Sequence, residues 1–307
     1  MLSLFFVPLI LLASGMATSV GILFLLYILS GFGMAGIGMG VMHDAIHGSY
    51  SKNKKINKLL GYSFNLIGAN STIWKIQHNV LHHTYTNIDH ADDDLNSPFF
   101  LRFSPHAKHY WVHKFQHIYS VLLYGLLTIN WAITTDFIQM KRYMKRKLSY
   151  GKFPNPFLNW STLVVSKIVY LSLWIVLPIL ITDIVWYKVL LGFFVMHYTA
   201  GLILSIVFQL AHIMDEAEMP VPEASGTMKN TWAIHQLLTT VNFSPKNRLI
   251  NWFTGGLNHQ VEHHIFPNIS HIHYGKIAKI VKKTAKEFNL PYNEFETTRK
   301  AIIAHFK

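Results

Sequence analysis

No charged residue occurs from Leu2 to Met42, an apolar run long enough for two helices of about 20 residues across a hydrocarbon layer. It reads as two spans, residues 2–18 and 20–42, meeting in a tight turn. A second apolar pair covers residues 160–182 and 185–211, with only Asp183–Lys188 available for the connection. Lys167 and His197 interrupt these later spans, and the pattern predicts a snorkelling lysine and a histidine facing the bundle. The second span carries Gly31, Gly33, Gly36, Gly38 and Gly40. Gly36 and Gly40 have the small-xxx-small spacing of close helix packing, and space left for a lipid tail is the alternative.

The segment from Ile118 to Ile133 is also apolar and almost long enough to cross. Charge decides how to place it. With four spans, every Lys and Arg except Lys167 and Lys188 falls on one side, including the clusters Lys52–Lys58, Lys141–Lys152 and Lys276–Lys286. Positively charged loops stay cytoplasmic, so the long polar segments and both termini are expected there. A fifth span would carry the C-terminal basic region to the other side, and residues 118–133 are therefore expected to lie in the interface. No Lys or Arg precedes the first apolar stretch, which argues against a secretory signal. The expected fold is a single-domain, all-α integral membrane protein over residues 1–307. Its four transmembrane helices form two hairpins, and residues 43–159 and 212–307 form a cytoplasmic helical cap.

Composition agrees with that reading. Of 307 residues 51% are hydrophobic and only 14% charged, which is unlike an ordinary soluble domain. The net charge of +12 needs no nucleic acid, because basic residues massed on one membrane face produce it. The chain has no cysteine, which excludes disulfides, iron–sulfur ligation, thiolate haem and a catalytic thiol. Its 19 histidines outnumber its 15 acids, and they are not scattered.

Three clusters stand out. His43 and His47 follow the second span at i, i+4, so an unbroken helix puts both imidazoles on one face. His78 and His82 repeat that spacing, and His83, turned about 100° away, can reach a second ion. His259, His263 and His264 form the third cluster, and His212 stands where the fourth span ends. One such pair is weak evidence in a histidine-rich chain. Three clusters at one membrane boundary predict a metal centre, and so many nitrogens exceed the three or four that one zinc takes. Imidazole suits several transition metals, so the residues alone specify a dinuclear site without naming the metal.

The stretches His43-Asp-Ala-Ile-His47-Gly-Ser-Tyr, His78-Asn-Val-Leu-His82-His83-Thr-Tyr-Thr-Asn and Gly255-Gly-Leu-Asn-His-Gln-Val-Glu-His263-His264-Ile-Phe-Pro resemble the three histidine boxes of membrane fatty acid desaturases. The last is most similar to the acyl-lipid and front-end branch, and the likeness extends from about Gly33 to Pro267. It implies a non-haem centre of two iron ions, O2 as co-substrate and a long-chain acyl substrate on CoA or on a lipid. Position by position it implies His43, His47, His78, His82, His83, His263 and His264 as ligands. His212, in Phe208-Gln-Leu-Ala-His212, resembles a further ligand outside the boxes. Gln260 falls on a box position although an amide is a poor iron ligand. Geometry favours His259 instead, and that choice stays open.

Members of the branch that carry a fused cytochrome b5 domain show His-Pro-Gly-Gly. This chain has no His-Pro dipeptide, so electrons are expected from a separate carrier of the ferredoxin or cytochrome b5 type. Asp44, Glu262 and the run Asp89–Asp94 could orient imidazoles or simply be solvated. His106, His109, His113 and His117 match no box and are expected near headgroups, with Trp74, Trp111, Trp131 and Trp160 as interface anchors. An acyl hydroxylase or ketolase on the same scaffold is the nearest alternative. A metal-handling membrane protein fits less well, because only His197 lies inside a span.

Overall fold

Some helices in this chain begin at a side-chain cap. Ser19 accepts a hydrogen bond from the Ile22 amide at 3.3 Å, and Asn155 caps Leu158 with Pro156 at the first helical position, where the missing N–H costs nothing. The computed structural model describes residues 1–95, 97–148 and 155–307; Lys152, counted in the middle basic cluster, lies outside them. The described chain is mostly helical with almost no strand. Its one sheet is a parallel pair of two-residue strands, Asn242–Phe243 beside Glu294–Phe295.

Among the described residues three helices are long and apolar enough to cross a membrane: Val20–His47, Pro156–Ile181 and Trp186–His212, of 28, 26 and 27 residues. At 1.5 Å per residue each exceeds the roughly 30 Å hydrocarbon thickness. The first predicted span is shorter than the sequence suggests. Its helix, Leu2–Ala13, has 12 residues and so about 18 Å of length, and Gly15 at φ +73° turns the chain after it. The segment at 118–133 is not one surface helix either. It belongs to two helices, Trp111–Tyr124 and Leu127–Lys145, bent by 64° at their junction and together long enough for one broken span.

The chain divides into two compact units. The first comprises Met1–His43, Lys58–Ile76 and Leu122–Ser205. Its glycines serve close packing. A Cβ on Gly31 would lie 2.6 Å from the Met196 carbonyl, and one on Gly33 would lie 2.5 Å from the Phe5 amide. Lys167 does not snorkel. It is buried, and its ammonium donates to Asp136 at 2.5 Å and to the Gly68 and Trp131 carbonyls at 2.6 and 2.7 Å. His197 faces inward as predicted, with Nε2 2.8 Å from the Tyr170 hydroxyl and Nδ1 3.0 Å from the Thr128 hydroxyl. Trp74 is buried against Phe64 and the His43 ring rather than standing at a surface.

The second unit comprises Asp44–Asn57, Gln77–Val121 and Ile206–Lys307. Part of its core joins Leu237, Val261 and Val281, with Ile265, Ile277, Leu290 and Tyr292 around them. The helix Tyr274–Glu287 buries Val281 and Ala285 on one side. Its other side exposes Lys276, Lys279, Lys282, Lys283 and Lys286, the division expected of an amphipathic surface helix.

Candidate metal centre

Each histidine box occupies a short helical segment, and the local geometry decides which face each ring takes. The first box ends the Val20–His47 helix, so His43 stands one turn before His47 on the same strip. The second box is not α-helical. Lys75–His82 is a π-helical turn running directly into His83–Tyr85. Such turns are rare and concentrate at functional sites. A wider turn brings residues five apart onto one face, and His78 and His83 approach to 3.2 Å between Nε2 atoms. His82 still stacks on His78 at 5.1 Å between ring centroids. The α-helical expectation, with His83 turned away, is therefore replaced by a geometry that presents all three rings. The third box is the helix Gln260–Ile265, in which adjacent His263 and His264 stand nearly perpendicular, at 84°.

The second unit gathers these rings into overlapping sets. His47, His78 and His263 each offer a nitrogen within 4.8 Å of the others, and His82, His212 and His264 do the same. His83 forms a third set with His263 and His264. All seven are buried. Among the described residues no such set includes His259, His106, His109, His113 or His117. His259 is buried beside Glu262 at 3.6 Å, and Gln260 lies beside His212. His106 and His113 instead bond the Met219 and Phe99 carbonyls, each at 2.9 Å.

The rings are held from behind. His82 Nδ1 meets Asp92 at 2.9 Å, and His78 Nδ1 meets Asp94 at 3.2 Å. The Asp92 carboxylate also accepts from the Asn87 amide and from the Asp94 amide, each at 3.0 Å, while Gln77 donates to Asp94. The acidic run after the second box is thus a folded brace rather than a solvated loop. His263 Nδ1 reaches the Tyr274 hydroxyl at 3.2 Å. His212 Nδ1 reaches the Thr239 carbonyl at 3.3 Å, and His264 Nδ1 reaches Gln236 Oε1 at 2.8 Å. Asp44 accepts from His271 at 2.7 Å. Glu262 accepts from Asn242 and Tyr292, both at 2.9 Å, so it braces the third box and is not solvated.

With Nδ1 so occupied, His82, His212 and His264 each keep a buried Nε2 that finds no hydrogen-bond partner among the described residues. One such orphan is costly, by about 1–3 kcal/mol, and three converging in one space require an explanation. A metal ion is the partner that suits three imidazole lone pairs backed by carboxylate and carbonyl acceptors. Burial, followed by the neighbouring imidazoles, holds His264 well below the ordinary histidine range, in the neutral form that ligates metal. Burial also pulls His82 down, but Asp92 and Asp94 outweigh it and raise it. Burial pushes Asp94 up to about 7.

Gln236, Thr239 and Tyr274 carry no motif in the sequence. A faint signal was available. His235, Gln236, Thr239 and Thr240 are spaced to share one face of a helix otherwise rich in apolar residues.

These features define a helical protein with membrane-spanning capacity and a buried cluster of histidines that could hold a metal. The chain belongs to the fatty acid desaturase family, whose pattern matches residues 18–296. It is 36% identical over 280 residues to an sn-1 linoleoyl-lipid 6-desaturase of Arthrospira platensis, covering 91% of this chain and 75% of that one. It is also 36% identical over 277 residues to an sn-1 linoleoyl-lipid 6-desaturase of Synechocystis sp., covering 89% of this chain and 76% of that one. An acyl-lipid (8-3)-desaturase of Physcomitrium patens is 35% identical over 90% of this chain and 57% of its own length. The protein is accordingly a fatty acyl desaturase, an oxidoreductase of lipid metabolism.

Proposed function

We propose that the protein introduces a cis double bond into a long-chain acyl group carried on a membrane lipid, using O2 and two iron ions. The observation that carries this reading is the convergence of His82, His212 and His264, each turning a buried, unpartnered Nε2 into one small space. His47, His78 and His263 would hold one ion and His82, His212 and His264 the other, with His83 between the two sets, and the first-box resemblance would add His43 as a ligand. When bound, the irons would supply the O2 chemistry that an unactivated methylene demands and no side chain can provide. Asp92, Asp94, Gln236 and Tyr274 keep the rings oriented, and the surrounding buried side chains exclude water. The lipid-bound substrate is inferred from relatives named as acyl-lipid or linoleoyl-lipid desaturases.

In the membrane, Leu2–Ala13 and Val20–His47 would form one hairpin, and Pro156–Ile181 with Trp186–His212 a second. With Trp111–Tyr124 and Leu127–Lys145 turning back rather than crossing, the distribution of Lys and Arg favours the histidine centre and both termini on the cytoplasmic side. Reducing electrons would come from a separate acidic carrier, drawn to the lysines of Tyr274–Glu287.

The test is expression in a host of known fatty-acid content, with chromatography and mass spectrometry of each lipid class. Loss of two hydrogens from glycerolipid-bound chains, before any change in the acyl-CoA pool, is the expected result. Conversion confined to acyl-CoA would overturn the lipid-bound substrate, and gain of an oxygen atom would point to hydroxylation instead.

A further inference from the structure

The helix Trp232–Thr239 contains no histidine box, yet it touches the backs of several ligand segments. Trp232 Nε1 donates to the His83 carbonyl at 3.2 Å. His235 Nε2 donates to the Thr86 carbonyl at 2.8 Å. The Thr239 carbonyl faces His212 Nδ1 and also accepts from Asn87 at 3.3 Å. Gln236 is fully buried in the middle of this face.

The contacts around Gln236 favour one orientation of its amide. Its Nε2 points at the His83 carbonyl, 3.4 Å away, where an oxygen would be repelled. Its Oε1 faces His264 Nδ1 at 2.8 Å and Thr86 Oγ1 at 2.9 Å, the Thr86 proton being shared with the His82 carbonyl 2.7 Å away. An oxygen there requires the proton of neutral His264 on Nδ1 and leaves the lone pair on Nε2. Hydrogen bonding at one ring nitrogen sets the tautomer and direction of the other, and removing such a partner typically weakens metal binding by about 10–100-fold.

Building on the two-ion reading above, we propose that Gln236 is a positioning residue for one ion only, that of His82, His212 and His264, acting through the ring of His264. His47 and His78 are not among its hydrogen-bond partners, so the other set should keep its ion without it. Gln236 touches no reacting atom in this arrangement. Its effect is read first in metal binding.

The experiment uses the full-length protein in detergent, stripped with chelator and titrated with Co2+. Metal content per chain, the cobalt visible absorption and the apo-protein melting temperature are measured together. Wild type is expected to take up two ions. Gln236→Leu should keep one at wild-type affinity and bind the second about 10–100-fold more weakly. Gln236→Glu, which retains an oxygen toward His264, should restore the second ion. Should Gln236→Leu fail to fold, Gln236→Asn withdraws the oxygen by one methylene and should show the same loss. Fewer than two ions in wild type would overturn the two-ion reading and this assignment with it. Two ions in wild type, with unchanged affinities in Gln236→Leu or Gln236→Asn, would overturn the assignment alone. So would equal weakening of both ions, or a Gln236→Glu variant no better than Gln236→Leu.

Discussion

Replacing Lys167 by Met should destabilise the first unit sharply, and most of that cost should vanish when Asp136 is replaced as well. Lys167 and Asp136 are about 4% and 3% exposed and lie 2.5 Å apart. At an effective dielectric constant of 20, two unit charges at that distance attract by about 7 kcal/mol. Desolvation offsets much of this, so the pair itself contributes little net stability. Breaking it is another matter, because Lys167→Met strands a buried carboxylate and should cost about 3–5 kcal/mol. In Lys167→Met/Asp136→Leu no charge remains. The Gly68 and Trp131 carbonyls lose the donor that Lys167 gave them, which leaves a residual cost of about 1–3 kcal/mol. The double-mutant cycle, run by thermal unfolding of detergent-solubilised protein with fluorescence detection, should therefore return a coupling of about 2 kcal/mol or more. Additive single-variant costs would refute the reasoning, as would a Lys167→Met variant that melts like wild type.

The remaining predictions follow from the metal centre and the surface. His47→Ala and His83→Ala should abolish product without preventing membrane insertion, whereas His113→Ala should retain most activity; fatty-acid analysis beside a membrane-fraction immunoblot checks both. Asp92→Ala should weaken metal binding by about 10–100-fold through His82, read by elemental analysis after dialysis against graded chelator. Reversing Lys276, Lys279, Lys283 and Lys286 should raise the KM for an acidic electron carrier and flatten its salt dependence, since steering fades as the Debye length falls from about 10 Å at 0.1 M to about 3 Å at 1 M. His305 is held low by burial, despite its bond to the Ile213 carbonyl, so the unfolded chain takes up its proton at a higher pH than the folded one. Its contribution to stability is present above about pH 6.5 and is lost as pH falls below that; between pH 7 and 5.5 the melting temperature of wild type should drop further than that of His305→Asn.

The centre was legible because its chemistry is local in sequence. His43 with His47, His78 with His82 and His83, and His263 with His264 declare themselves by spacing, and Asp92 and Asp94 follow within a dozen residues. Features hidden from such a reading depend on contacts between distant segments. Gln236 meets His264 across 28 positions, and Lys167 meets Asp136 across 31; neither leaves a periodic trace. The limits of two helices are hidden for a different reason. Apolarity marks what avoids water, so residues 2–18 and 118–133 look continuous, yet Gly15 ends the first helix and a sharp bend divides the second. Backbone geometry, not hydropathy, sets those limits.

The π-helical turn at Lys75–His82 also bears on how this enzyme can vary. A π turn is an α-helix holding one additional residue, so a single-residue deletion within it can be absorbed as ordinary α-helix with little loss of folding. The register of His78 against His82 and His83 would nevertheless change, and the brace from Asp92 and Asp94 would meet the wrong rings. Length variation that most helices tolerate poorly would here be structurally mild yet fatal to the chemistry. The residue count of this segment is therefore set by the register of its histidines rather than by the fold.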